Sequence, residues 1–219
     1  MLKVENLSYK YKNSDPEALK NLNAHFEAGK INAILGPSGS GKTALLSILA
    51  GLEVPTQGTI YIEGDNLANL DLNLYRRERV AMVLQAFHLF PLLTALENAC
   101  YPMEQRGIEK SAANRKAAEL LDGLGITEDK HKHYPADLSS GEQQRVAIAR
   151  ALSTGARVIL ADEPTGSLDE PNGDAVMAIL RHLAHRQNYC IIVVTHNPNI
   201  ARASDVVYRL SGGAIRKSM

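Results

Sequence analysis

Apolar and polar residues alternate along three stretches of the chain: Leu2-Val4-Leu7, Leu22-Ala24-Phe26, and Thr59-Ile60-Tyr61-Ile62-Glu63 after Gly58. This is the pattern of strands with one wetted face, and it predicts an antiparallel sheet at the edge of the fold. Ile31-Asn32-Ala33-Ile34-Leu35, Arg157-Val158-Ile159-Leu160-Ala161 and Cys190-Ile191-Ile192-Val193-Val194 are instead short and almost continuously apolar. Parallel strands covered by helices on both faces read this way, so these predict an inner sheet. From Ala86 to Leu152 strand signals vanish and helical spacing takes over, as in Ala113, Ala117, Leu120, Leu121 and Leu124, closed by Gly125. A further helix is predicted from Asn172 to Gln187, and Val206 to Leu210 before Ser211-Gly212-Gly213 predicts a terminal hairpin. The class is α/β, with a mainly parallel core sheet, an antiparallel β edge subdomain and an inserted α-helical subdomain. One domain over 1–219 is expected, its core and β edge made by 1–85 and 154–219 and its helical part by 86–153.

A chain of 219 residues, 45% hydrophobic and 22% charged, is long enough to bury a substantial core. Lys plus Arg and Asp plus Glu number 24 each, a balance that removes the electrostatic case for binding nucleic acid. No apolar run approaches the roughly 20 residues of a membrane helix, and Glu5 interrupts any signal-peptide core, so a cytoplasmic protein is expected. Cys100 and Cys190 lie in apolar surroundings without paired spacing and read as reduced core residues. His131-x-His133, within a charged run expected to be a solvated loop, and His182-x-x-His185 lack further ligands; no structural metal is expected. Arg76-Arg77-Glu78-Arg79 reads as a solvated helix face.

Candidate chemistry begins at Gly36-Pro37-Ser38-Gly39-Ser40-Gly41-Lys42-Thr43, which follows an apolar strand and opens a helix running through Leu45, Leu46, Ile48 and Leu49 to Gly51. That is the Walker A motif of a P-loop NTPase in its required context. Its glycines let backbone N–H groups curl toward a phosphate, the helix N-terminus adds partial positive charge and Lys42 a full one, while Thr43 offers a hydroxyl to Mg²⁺. At average residue frequencies a match arises by accident in a chain of this length about once in 100. Asp162-Glu163 ends another apolar strand, at the carboxyl edge where open α/β proteins bind ligands. Asp162 is expected to hold the Mg²⁺ water shell. Strand alternation sends Glu163 to the opposite side, toward an attacking water. Taken alone, Gln85 after Val80-Ala81-Met82-Val83-Leu84 and His196 after Val194-Thr195 are polar strand ends, and Ser139-x-x-Glu142 is a capping box at a helix start.

In order and spacing the whole set resembles the ATP-binding subunit of an ATP-binding-cassette (ABC) transporter. Tyr11 is similar to the aromatic that stacks on adenine, Gly36 to Thr43 to Walker A, and Gln85 to the Q-loop glutamine. Leu138-Ser139-Ser140-Gly141-Glu142-Gln143 resembles the signature sequence, Asp162-Glu163 the end of Walker B, Ser167-Leu168-Asp169 the D-loop and His196 the switch histidine. Phe87 to Pro91 and Pro164 to Asp169 resemble the subunits that serve macrolide-efflux and lipoprotein-release permeases.

The resemblance implies an ATPase that uses ATP and Mg²⁺ in a head-to-tail homodimer. Lys42, Gln85, Glu163 and His196 would carry catalysis, and Thr43, Gln85 and Asp162 the metal. Tyr11, Gly36, Pro37, Ser38, Gly39, Ser40, Gly41, Lys42, Thr43 and Ala44 would hold the nucleotide on one face, with Ser139, Ser140, Gly141, Glu142 and Asp169 completing the site of the other copy. It further implies a separately encoded integral membrane permease whose coupling helix docks near Ala86 to Asn98 on the cytoplasmic side of the cell membrane, with export or release favoured over import. An ATPase driving a non-transport membrane partner is the alternative, and a soluble ABC protein of DNA repair or translation carries low weight because basic arms and long insertions are lacking. Two positions depart from the family pattern: Ser140 stands where Gly is usual, and Ala44 replaces a hydroxyl residue. Loss of one hydroxyl contact is worth roughly 0.5 to 1.5 kcal/mol, too little to abolish binding.

Overall fold

The computed structural model describes residues 1–12 and 17–218. Among the described residues ten strands form two sheets. The antiparallel one contains β1 (Leu2–Tyr9), β2 (Leu19–Phe26), β4 (Gln57–Ile62) and β5 (Asp65–Asn66) in the order β2-β1-β4-β5. The other contains β3 (Lys30–Leu35), β6 (Val80–Val83), β7 (Val158–Asp162), β8 (Cys190–Thr195), β9 (Val206–Ser211) and β10 (Ala214–Lys217), in the order β10-β9-β3-β8-β7-β6. All pairs in it are parallel except β9 with β10. The predicted hairpin therefore exists, and its first strand also extends the parallel sheet beside β3, a pairing its alternating pattern did not announce.

The continuous apolar runs have a direct cause. Every residue of β8 is buried, with Ile191 and Val193 in one core cluster and Cys190, Ile192 and Val194 in another on the opposite face. The second cluster packs α1 (Lys42–Leu49) and the antiparallel sheet onto the inner sheet. The first takes α3 (Ala95–Gln105), α4 (Lys110–Gly123), α5 (Ser140–Ser153) and α6 (Glu170–Gln187). Cys100 and Cys190 are free and buried; burial pushes their thiols up to about 11 and about 12, which keeps them unreactive. Among the described residues, no helix is long and apolar enough to cross a membrane.

The alternation of β1 slips from Val4 to Leu7 because Asn6 takes a left-handed conformation (φ 51°) at a register shift with both neighbouring strands. Asn21 does the same in β2 (φ 45°), and side chains stitch the two irregularities: Asn6 N–H donates to Asn23 Oδ1 at 3.0 Å and Asn21 N–H to Ser8 Oγ at 3.0 Å. Such bulges bend the strands and turn the edge sheet over the core. Two short helices, α2 (Leu72–Glu78) and α7 (Pro198–Arg202), complete the architecture. Two arginines here are not simply solvated: Arg79, which caps the end of α2, pairs with Asp65 at 3.0 Å, and Arg76 within it donates to Asn73 Oδ1 at 2.6 Å.

Helix α2 is tied to α1 by Tyr75, which is 2% exposed and donates its hydroxyl to Leu49 O at 2.6 Å. Removing that hydroxyl leaves a buried carbonyl without its donor, so Tyr75→Phe should lower unfolding free energy by about 1 to 3 kcal/mol in denaturant titration; an unchanged midpoint would show the bond to be dispensable.

Candidate functional site

Parallel register aligns the carboxyl ends of β3, β8 and β7, pairing Leu35 with Thr195 and Asp162 with Val194. Two backbone bonds extend the ladder past the strands, Gly36 N–H to Thr195 O at 3.2 Å and Glu163 N–H to Val194 O at 3.0 Å. The phosphate loop, the acidic pair and His196 thereby emerge along one edge. Gly41 caps α1 at φ 103° with no side-chain hydrogen bond, which leaves the first-turn amides to an external anion. A Cβ on Gly41 would lie 2.6 Å from the carbonyl oxygen of Ala18 and one on Gly36 2.6 Å from Ser40 Oγ, so the loop closes only with glycine at both positions. Lys42 curls back to donate to Gly36 O at 2.8 Å and Pro37 O at 2.9 Å. Ser40 Oγ is buried without a partner among the described residues.

These groups border a cavity of about 720 Å³ lined by Tyr11, Pro37, Ser38, Gly39, Gly41, Lys42, Thr43, Ala44, Gln85, Asp162, Glu163 and His196. Tyr11 is exposed at its mouth, edge to face with Tyr9 at 4.9 Å. Ala18 also lines it; sequence reasoning missed this residue, which contributes a backbone carbonyl beside Gly41 and carries no motif.

Asp162 and Glu163 share this cavity, and strand alternation does not separate them. The strand ends at Asp162, and Glu163 adopts φ 45°, a left-handed turn that sets its direction. Its carboxylate is held three ways: Oε2 accepts from Thr195 Oγ1 at 2.8 Å, and Oε1 accepts from His196 N–H at 2.8 Å while lying 2.7 Å from His196 Nδ1. Thr195, buried at the end of β8, is a second residue the sequence reading passed over; a polar residue closing an apolar strand was its only signal. Burial, and then the neighbouring Glu163 charge, push the Asp162 carboxyl above its ordinary range, with Lys42 opposing. A half-buried acid crowded by a second acid is what a divalent cation relieves, so Thr43, Gln85 and Asp162, which line one cavity, would suit such a cation. Among the described residues no cluster of His, Cys, Asp and Glu could hold a metal by itself.

After Gln85 the chain passes through two consecutive left-handed residues, Phe87 (φ 59°) and His88 (φ 47°), a conformation costing roughly 1 to 3 kcal/mol at each. Arg150 of α5 holds it there, donating from Nη1 to His88 O at 2.7 Å and from Nη2 to Phe87 O at 3.1 Å. The following loop is pinned by buried Asn98, which accepts from Phe90 N–H at 2.8 Å and donates to Phe90 O, Leu93 O and Thr94 O. Beside it lies a groove of about 400 Å³ whose lining includes Leu52, Met82, Phe90, Tyr101 and Arg150.

Ser139, Ser140, Gly141, Glu142 and Asp169 do not line the phosphate cavity. Ser139 caps α5 in a complete capping box, its Oγ accepting from Glu142 N–H at 3.3 Å while Glu142 Oε2 accepts from Ser139 N–H at 2.8 Å. Ser140 is exposed. Gly141 is buried against Asn172, and a Cβ there would overlap Asn172 Oδ1 and come within 2.6 Å of its Cγ. Asn172 in turn donates through Nδ2 to Asp169 Oδ1 at 2.6 Å, and Asp169 caps α6 by accepting the Asn172 N–H at 3.1 Å. Gln144 donates to Pro164 O at 2.8 Å. The signature segment and the acidic-strand loop are thus bound together within one chain, and Asn172 and Gln144 are contributors that no motif announced.

The charged run from Asp129 to His133 is not a solvated loop. His131 is buried with Nε2 3.0 Å from Ile126 O, and the carbonyls of His131 and His133 accept the N–H groups of Leu96 and Ala95 at 2.9 Å each, satisfying the first turn of α3. His185 Nε2 lies 2.9 Å from Asp205 Oδ2.

A family model described as ABC transporter matches residues 19–166. The chain is 37% identical to an uncharacterized ABC transporter ATP-binding protein, YclH, of Bacillus subtilis over 98% of its own length and 95% of that protein's. It is 44% identical to the macrolide export ATP-binding/permease protein MacB of Escherichia coli K12, over 95% of this chain but only 32% of that protein, so it spans about a third of that relative. The dimeric structure of MJ0796, described as a bacterial ABC transporter cassette, superposes with a TM-score of 0.90 at 38% identity, covering 100% of this chain and 98% of that one. A second structure of MJ0796, a dimer in a post-hydrolysis state bound to ADP and Pi, superposes equally well.

Two consequences of the Gly141 contact and the capping box can be measured on the monomer. Gly141→Ala should destabilise the fold by about 1 to 3 kcal/mol through overpacking on Asn172, whereas Ser140→Gly should change it by no more than about 0.5 kcal/mol; equal effects in denaturant titration would contradict the packing. Although partial desolvation opposes it, the bonds from Lys130 and Ser139 hold the Glu142 carboxyl down at about 2 against an ordinary 4.5. A carboxyl depressed by folding stabilises fully above its unfolded value, and the contribution drains away as pH falls from 4.5 toward 2. The stability difference between the parent and Glu142→Gln should therefore narrow across that window, and a difference independent of pH there would contradict it.

Proposed function

The chain belongs to the ABC transporter family of ATP-binding proteins and is an ATPase of that family; from this premise we propose that two copies close head to tail around MgATP, hydrolyse it and drive a membrane permease. The observation that carries the reading is the division of the site. The phosphate cavity gathers the Walker residues, Gln85, Glu163 and His196, while Ser139 to Glu142 and Asp169 lie outside it. One copy holds half of each of two sites, and a second copy supplies the other half.

Within one such site Tyr11 stacks on the adenine, the loop from Gly36 to Thr43 wraps the phosphates, and Lys42 exchanges its two loop carbonyls for phosphate oxygens. Thr43, Gln85 and Asp162 would hold Mg²⁺, which would supply positive charge to offset that of the phosphates. Glu163, fixed by Thr195 and His196, orients and deprotonates the attacking water. Its hold on His196 Nδ1 leaves Nε2 as the atom for the γ-phosphate. From the opposite copy, Ser139 and the amides of the first turn of α5 complete the anion's surroundings. ATP therefore fastens the two copies, and its cleavage lets them part.

The groove beside Phe90 and Tyr101 is the surface proposed for the permease. Leu92 beside it is 86% exposed, the loop is held rigidly by Asn98 and Arg150, and a short amphipathic helix on the cytoplasmic side of a membrane protein is its fitting occupant. MacB, whose name joins ATP-binding and permease parts in macrolide export, supports export or release as the direction of work.

Glu163→Gln should bind ATP, form a stable dimer in size-exclusion chromatography with light scattering, and hydrolyse at least about 100-fold more slowly than the parent. A variant that turns over at the parental rate, or stays monomeric with saturating ATP, refutes the proposal.

A further inference from the structure

The first turn of α5 is an unusual place for a negative charge if it must receive a phosphate. Glu142 occupies its third position, where a carboxylate offsets the partial positive charge of the helix end. The capping box uses only Oε2, through Ser139 N–H. The other oxygen, Oε1, is paired with Lys130 Nζ. The Glu142 side chain is 14% exposed and that of Lys130 37%, so the pair is screened less than a surface ion pair. Lys130 comes from the segment just before α5 whose carbonyls at His131 and His133 are bound to α3, and this holds it in place.

We propose that Lys130 is a positioning residue that cancels the Glu142 charge, so that the signature end of α5 keeps a positive potential toward the phosphate of the opposite copy. This deepens, and rests on, the ATP-dimer reading. With Lys130 present, Glu142 fixes Ser139 through its cap without repelling the nucleotide. Without Lys130, the same carboxylate faces the ATP uncompensated, and the cost falls on dimer closure rather than on nucleotide binding by the separate copy, whose phosphate loop lies elsewhere on the chain.

The test uses the full chain in the Glu163→Gln background and reads two constants: ATP binding by the dilute monomer, and ATP-driven dimerisation by analytical ultracentrifugation. Lys130→Met should weaken dimerisation about tenfold, the scale of one uncompensated charge acting over a few ångström in a partly wetted site, while monomer binding stays within twofold. Lys130→Arg should restore it. Adding Glu142→Gln to Lys130→Met should also restore dimerisation to within about threefold, because no charge is then left to cancel. A lysine that merely ties the segment to α5 would not be rescued in the double variant, and that result overturns the proposal. Dimerisation unaltered by Lys130→Met overturns it as well, while leaving the ATP-dimer reading intact. Failure of Glu163→Gln itself to dimerise removes both. Should Lys130→Met prove unstable, the double variant and Lys130→Arg still decide the matter.

Discussion

The register of three parallel strands is the constraint on which the rest of the molecule depends. Leu35 beside Thr195 and Asp162 beside Val194 bring the ends of β3, β7 and β8 to one level, and the two further bonds from Gly36 and Glu163 to the β8 backbone fix how the chain leaves each strand. A slip of one residue in β8 would exchange its two buried faces. It would also carry Thr195 and His196 away from the Glu163 carboxylate they hold. Core packing and the geometry of the Glu163 cluster are therefore enforced by the same hydrogen-bond ladder, and β8, buried along its whole length, is where both demands are concentrated.

Much of this was legible in the sequence because the signals were local. Continuous apolar runs announced β3, β7 and β8, and the phosphate loop announced α1. Ser139 and Glu142 formed the capping box that their spacing of three implies. What escaped was set by contacts between segments distant in the chain. The alternation of β1 and β2 slips at Asn6 and Asn21 because each is stitched to a residue of the other strand. Glu163 turns toward His196 because its backbone is left-handed, a conformation with no marker in its residue type. His131 looked like part of a solvated charged run, yet its ring is buried and its carbonyl caps a helix more than thirty residues earlier. Thr195, Asn172 and Gln144 act through single hydrogen bonds to partners that only the tertiary fold supplies.

The two departures from the family pattern differ in physical weight. Ala44 is 2% exposed and packs into the core beneath α1 while bordering the cavity, so a hydroxyl there would have faced both an apolar cluster and the cavity. Ser140 is exposed at the outer rim of α5, whereas its neighbour Gly141 is the residue with no room for a side chain. Within one chain the segment from Ser139 to Glu142 therefore has a steric requirement for glycine at 141, imposed by Asn172.

The bonds from Ala95 and Leu96 to the carbonyls of His133 and His131 join the first turn of α3, which follows the loop beside the exposed groove, to the segment that leads into α5. Both partners in each bond are peptide groups. The bonds themselves ask nothing of residue type beyond the exclusion of proline at 95 and 96, but Ala95 and the His131 ring are buried, so packing limits what can stand there. The exposed side chains at the groove, such as Leu92 and Phe90, are under no such limit, so its surface chemistry can vary while the backbone strut behind it stays in place.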